Sequence, residues 1–239
     1  VQATGPTALR ILDIPLLRDV DESAGFYAAA AGYYSGWPGA ELWVSRDSGV
    51  TWERTQTTFL ESSVIGTALT SLSTFSGGNV FDELNSVTVQ VFGGDLSSAS
   101  EALVQSGTNT CYLGGEILSF KTATLVSTGR YTLTGLRRGR KGTEQYMSTH
   151  AIGEPFVLLS TSTTKRVRLE TSDIGASLLY KAVTFGQNIA EASEVSFTPG
   201  AVGLEPLSPV EIRGGRTAAA SWDITIAWKR RARKNAEWR

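Results

Sequence analysis

Thr110-Cys111-Tyr112-Leu113-Gly114-Gly115-Glu116-Ile117-Leu118-Ser119-Phe120-Lys121-Thr122-Ala123-Thr124-Leu125-Val126-Ser127-Thr128-Gly129-Arg130-Tyr131-Thr132-Leu133-Thr134 holds three apolar-alternating runs separated by two glycine-containing turns. Gly114-Gly115 and Ser127-Thr128-Gly129 supply turn chemistry, so the stretch reads as two successive β-hairpins, over residues 110–121 and 123–134. The pattern continues in both directions. Val87, Val89 and Val91 fall on one face of a strand at 87–92, and Phe156-Val157-Leu158-Leu159 is a short buried strand. Upstream, Ala40–Ser45 and Thr51–Arg54 flank Asp47-Ser48-Gly49 as a hairpin over 40–55. Phe26-Tyr27-Ala28-Ala29-Ala30-Ala31 reads as a buried strand despite its alanines, because Gly25 and Gly32 bracket it. One short helical segment is expected between Ser97 and Gln105, capped by Ser97 or Ser98 ahead of Glu101. No long amphipathic periodicity occurs, and the fold class is all-β.

Three regions follow from composition. Residues 1–24 form an irregular N-terminal segment, in which Pro15 forbids a helix interior or a central strand. Residues 25–165 form a β-rich domain of short hairpins. Residues 166–239 read as a second β module, with strand-like runs at 165–169, 178–185, 210–213 and 222–228 and a connection marked by Pro199, Pro206 and Pro209. The sequence opens at Val1 and stops at Glu237-Trp238-Arg239, which reads as a fragment or as one chain of a larger assembly.

Scarce residues exclude much chemistry. The 239 residues contain one Cys (Cys111), one His (His150) and one Met (Met147). A zinc site needs three or four Cys and His ligands, and haem or iron–sulfur ligation fails on the same shortage. No metal, cofactor or catalytic residue is assigned, and no phosphate loop or dinucleotide fingerprint is present. The chain is read as non-enzymatic. With 22 Lys and Arg against 23 Asp and Glu, the net charge of −1 disfavours nucleic-acid binding. The apolar runs are too short for a membrane-spanning helix, so no membrane insertion is expected.

Four features remain as candidates. Arg137, Arg138, Arg140 and Lys141 place four cations in five positions, which reads as a charged subunit contact or an exposed turn. Lys229-Arg230-Arg231-Ala232-Arg233-Lys234 follows an apolar strand and reads as charge protecting a strand edge. Ser45-Arg46-Asp47-Ser48-Gly49-Val50-Thr51-Trp52 fits Ser-x-Asp-x-Gly-x-Thr-Trp, which resembles the Asp-box hairpin of sialidase-type propellers, where the box is structural. Trp37, Trp43 and Trp52 are the candidate surface-binding aromatics for a glycan or a partner, with a hairpin core as the alternative. Glycoside hydrolysis needs two facing carboxylates; Asp47, Asp82, Glu83, Asp95, Glu116 and Glu144 are scattered among turns. His150 is expected to be a hydrogen-bonded structural histidine, and Cys111 a small buried hydrophobe.

The run Gly115–Val126, followed by Gly129-Arg130-Tyr131-Thr132-Leu133-Thr134-Gly135-Leu136-Arg137-Arg138-Gly139-Arg140-Lys141-Gly142-Thr143-Glu144, resembles the C-terminal part of the large tail-hub, or baseplate "megatron", proteins of long-tailed bacteriophages and gene transfer agents. The likeness continues through His150–Leu159 and returns at Tyr180–Gly186 and Pro206–Val210. Ile224–Arg233 with Trp238 looks like the first strands of a fibronectin-III-like module, cut short. The resemblance implies a β-rich tail-hub domain followed by a partial fibronectin-III-like sandwich. It implies a structural role in the virion, at the tail tip or baseplate, assembled in the host cytoplasm. Partners would be other tail and baseplate proteins and two further copies in a homotrimer around the tail axis, with host cell-surface glycan or protein as a further contact. A carbohydrate-binding or carbohydrate-active β-protein, suggested by the Asp-box at 45–52, is the alternative.

Overall fold

The computed structural model describes residues 5–216 and 224–231. Strand β1 (Thr7–Leu12) runs antiparallel to β2 (Gly25–Gly32), and a loop through Trp37 leads to the hairpin of β3 (Ala40–Ser45) and β4 (Glu53–Phe59). The chain then leaves for about a hundred residues to build a barrel. It uses β5 (Ile65–Ala68), β6 (Phe81–Asp82), β7 (Val87–Phe92), the helix α1 (Glu101–Gln105), β8 (Thr110–Leu113), β9 (Glu116–Ser127), β10 (Arg130–Arg140) and β11 (Pro155–Leu158). It returns as β12 (Lys165–Arg168), β13 (Leu178–Thr184) and β14 (Glu194–Phe197), and finishes in a ribbon of β15 (Val210–Arg216) and β16 (Ile224–Lys229).

The first four strands and the three returning ones make one sandwich. A three-stranded sheet, β1-β2-β12, faces a four-stranded sheet, β14-β13-β3-β4. Together they form a seven-stranded antiparallel sandwich of a three-stranded and a four-stranded sheet. Its core joins Leu9, Phe26, Ala28 and Ala30 to Leu42, Val44, Phe59, Val167 and Tyr180. Phe26 makes edge-on ring contacts with Tyr180 (5.3 Å) and Phe197 (5.0 Å).

This arrangement corrects the division at residue 165. The strands expected to make a separate, shortened fibronectin-III-like module in 166–239 do not do so: β12 and β13 pair with β2 and β3, so that the sandwich closes across the barrel inserted between β4 and β12, while Ile224–Lys229, which carried the fibronectin-III-like resemblance, pairs with β15 in a two-stranded ribbon. The N-terminal segment is also more regular than expected. Thr7–Leu12 is an edge strand, and Pro15 lies beyond its end, where a missing N–H costs nothing.

The barrel has six closing strands. β9 pairs with β8 on one edge and β10 on the other, β10 reaches β7, and β7-β5-β11-β8 completes the circle, every pair antiparallel. Inward positions alternate as a barrel requires: Val87, Val89 and Val91 from β7, Leu118 and Phe120 from β9, Tyr131 and Leu133 from β10. Both expected hairpins are present, with β9 serving as the shared strand of 12 residues. Gly114 and Gly115, at φ 55° and 111°, make the turn that L-residues would strain. The helix starts at Glu101 with Ser100 as its cap, two or three residues after the serines expected to do so.

β2 is buried along its whole length because it lies between the two units. Phe26, Ala28 and Ala30 face the sandwich core, while Tyr27, Ala29 and Ala31 join a second core with Ile65, Ile117 and Val157 of the barrel. A strand buried on both faces reads as a continuous apolar run, and its alanines let three layers approach closely.

Candidate functional site

The basic run at the end of β10 separates into different environments. A β-bulge between Arg137 and Arg140 interrupts the pairing with β9, and Gly139 takes a left-handed φ of 59° there. Arg138 consequently turns inward and its side chain is fully buried. Its Nε donates to Glu116 (3.0 Å), its Nη1 to Asp82 (3.2 Å) and to the Ser73 carbonyl (3.0 Å), and its Nη2 to the Met147 carbonyl (3.3 Å). Arg137 and Arg140 stay outside, both donating to Asn79 Oδ1 (3.0 and 2.9 Å). Lys141 is exposed, with φ 61°, and donates to the Leu17 carbonyl. Arg138 is thus removed from the candidate interface by burial; Arg137, Arg140 and Lys141 remain at the surface.

Around Arg138 the barrel encloses a charge cluster that the sequence reading did not assemble. Glu116, at the first position of β9, accepts from Arg138, from the Gly139 N–H (2.6 Å) and from His150 Nε2 (2.7 Å). His150 Nδ1 lies 2.8 Å from Glu154. Asp82 also accepts from the backbone of Leu84 and Asn85 and from the Asn85 amide. Each buried oxygen therefore has a donor, the condition under which buried charge is tolerated. Among the described residues no group of His, Cys, Asp and Glu could hold a metal ion, and both ring nitrogens of His150 are already engaged.

Burial disfavours the charged imidazole, but the hydrogen bonds and charges of Glu116 and Glu154 outweigh it and raise the His150 pKa above its ordinary value. Burial also pushes Glu116 up, and the hydrogen bonds of His150, Arg138 and Gly139 more than reverse this, leaving its pKa lowered. A raised histidine contributes stability that is complete below the unfolded pKa of about 6.5 and is lost as pH rises through the folded value. A lowered glutamate contributes stability present above the unfolded value of about 4.5 and lost as pH falls through the folded one. Stability is thus expected to be greatest between about pH 4.5 and 6.5 and to decline above it. Urea midpoints at pH 5.5, 7.5 and 9 check the decline, and one imidazole NMR signal, from the single histidine, reports the titration directly. A midpoint unchanged to pH 9 in wild type would contradict the assignment.

The Asp-box hairpin is fully formed. Asp47 accepts from Ser45 Oγ (2.8 Å) and from the Thr51 N–H and hydroxyl, Gly49 N donates to Ser45 Oγ, and Trp52 Nε1 donates to the Gly49 carbonyl (3.2 Å). The Thr51 hydroxyl and N–H, with Ser45, lower the Asp47 pKa to about 2. The carboxylate serves the turn itself. Asp82 and Glu116 are enclosed in the charge cluster, Asp95 accepts from the Tyr131 hydroxyl, and Glu83 pairs with Lys121.

The three tryptophans do not form one patch. Trp37 packs into the sandwich core and donates through Nε1 to Thr7 Oγ1 (2.9 Å). Trp43 alternates with the core residues Leu42 and Val44 and so lies on the outer face, opposite Lys181 in the β3–β13 register. Trp52 lies under the same ammonium group, 4.6 Å from Nζ to the ring centroid.

The terminal ribbon is an open surface among the described residues. Ile212, Ile224, Ile226 and Trp228 are each about 60–68 % exposed, and the strand alternation puts Ile224, Ile226 and Trp228 on one face. Lys229 pairs with Glu211 across the ribbon, and Arg231 ties its base to Glu144 (2.6 Å). The basic run is thus in part a structural clamp; Ala232–Lys234 lie outside the described residues, as do Trp222 and Trp238. No described helix is long and apolar enough to cross a membrane.

No curated protein matches the chain. Residues 63–157 match the family described as Rcc01698-like, C-terminal, a span that opens just before β5 and closes within β11 and so is the barrel with its buried charge cluster.

Proposed function

We propose that the chain is a non-enzymatic structural subunit of a tail tip or baseplate hub, in a phage or gene-transfer-agent particle, working through contacts with copies of itself and with neighbouring tail proteins. The observation that carries this reading is the family match over the barrel, which coincides with the Gly115–Glu144 run that resembles the tail-hub proteins. The ribbon supports it. A two-stranded ribbon is marginal in water by itself, and one with three large apolar side chains on an open face gains stability by docking on another surface. Arg137, Arg140 and Lys141 lie at the surface as charged elements of such a contact.

The test is mass spectrometry and imaging of particles purified from cells carrying the gene. The expected result is this chain in fixed stoichiometry, a multiple of three, with density around the tail axis. Expression of the chain with none in the particles overturns the reading. Ile226→Asp with Trp228→Asp is expected to reduce incorporation at least tenfold, while the urea midpoint of the isolated chain stays unchanged, since both side chains are already in water.

A further inference from the structure

The loop between β2 and β3 carries Tyr33, Tyr34 and Trp37 in five positions, and it borders a cleft of about 370 Å³ completed by Ser35, Leu60 and Ser62. The tyrosines are 56 % and 61 % exposed, in contrast to Phe26, Tyr27, Phe59, Phe120, Phe156 and Tyr180, which are buried. Each ring is held from behind. Tyr33 stacks on Phe92, centroids 4.9 Å apart and planes 14° apart, leaving its opposite face to solvent. Tyr34 lies against the backbone of Gly5, so closely that a side chain there would strike the ring. Trp37 is fixed by its bond to Thr7 and by close packing over Gly32.

Rigid rings presented to water give contact area at small entropic cost, the economy of a binding surface rather than of a core. Among the described residues no charged side chain lines the cleft. At its rim the exposed Ser35 offers a side-chain hydroxyl to a ligand. A pyranose ring matches this combination, with an apolar C–H face for the aromatic rings and a rim of hydroxyls for Ser35. A polyproline segment would also suit aromatic rings. Such ligands gain selectivity from a flanking charged contact, however, and the cleft offers none.

We infer that this cleft binds a neutral glycan, with Tyr33 and Tyr34 as the stacking platform and Ser35 as a polar contact. Binding is a property of the isolated chain and does not depend on the particle reading; only its use in attachment to a cell surface would rest on that reading.

The experiment applies the chain to an array of neutral and charged glycans and measures the strongest by calorimetry, beside a proline decamer. The expected result is a neutral glycan whose Kd rises at least about tenfold in Tyr33→Ala or Tyr34→Ala, the loss of one aromatic contact, and is unchanged in Trp52→Ala on the outer face of the other sheet. Both tyrosines are exposed, so the variants remain folded, and a circular-dichroism melt confirms it. A blank array, selection of charged glycans alone, binding of the proline decamer alone, or affinity lost in Trp52→Ala and kept in the tyrosine variants each overturns the inference. Retained glycan binding by a chain absent from particles would leave this site standing while removing the hub reading.

Discussion

Arg138→Ala is expected to lower stability by about 3–5 kcal/mol, because it leaves Glu116 and Asp82 as enclosed carboxylates without their shared cation. For a chain of this size that corresponds to a fall in Tm of roughly 10 °C. The size of the effect follows from where the charges are. The side chains of Arg138, Glu116 and Asp82 are fully buried, so water cannot replace the lost guanidinium. Arg138→Lys is expected to recover only part of the loss, since an ammonium cannot reach two carboxylates and the Ser73 and Met147 carbonyls from one position. Arg137→Ala, in the neighbouring position, removes one bond to Asn79, which is already exposed and keeps its bond from Arg140, and is expected to change stability by less than about 0.5 kcal/mol. Urea unfolding of the three variants separates the readings. Equal, small losses for Arg137 and Arg138 would mean that the run acts only as a surface patch.

The Arg-Gly run also illustrates what the sequence could and could not convey. Four cations in five positions were visible, and so was the glycine; the bulge that sends one arginine inward was not. A bulge depends on how β10 registers against β9, a non-local property that no single-strand pattern contains. A buried arginine has a sequence cost, though, because carboxylates must meet it. Glu116 and Asp82 stood among the scattered acidic residues, separated from Arg138 by 22 and 56 positions. His150 was read as a hydrogen-bonded structural residue, and the geometry agrees, with the addition of two carboxylates at its nitrogens.

Individual strands were legible for a simpler reason. Alternation at Val87, Val89 and Val91, and glycine turns at 114–115 and 129, are local signals of the burial that each strand later acquires. Their assembly into sheets was not local. The expectation of a second module after residue 165 rested on contiguity along the chain, and an inserted domain breaks that assumption. Tyr33 and Tyr34 were missed for a related reason. A tryptophan is the larger aromatic, but exposure depends on how the loop between β2 and β3 lies, with Tyr33 on Phe92 of the barrel and Tyr34 on the Gly5 backbone.

Phe26→Ala tests the discontinuous sandwich, and its expected cost is about 3–5 kcal/mol. Phe26 is fully buried and meets Tyr180 and Phe197, so the loss removes contacts between strands lying some 150 residues apart in sequence. Those contacts join the two chain segments that flank the barrel. Hydrogen exchange should therefore show β2 and β3 losing protection together with β12, β13 and β14, as one cooperative unit. The amides of β9 and β10, whose ladder closes within the barrel, should stay protected for longer. The intervening layer predicts one exception. Ala29 and Ala31 reach the core shared with Ile65, Ile117 and Val157, so protection at β5 should fall with that of β2. If instead residues 165–197 kept their protection while residues 25–59 exchanged freely, those strands would be an independent module, and the seven-stranded sandwich would be wrong.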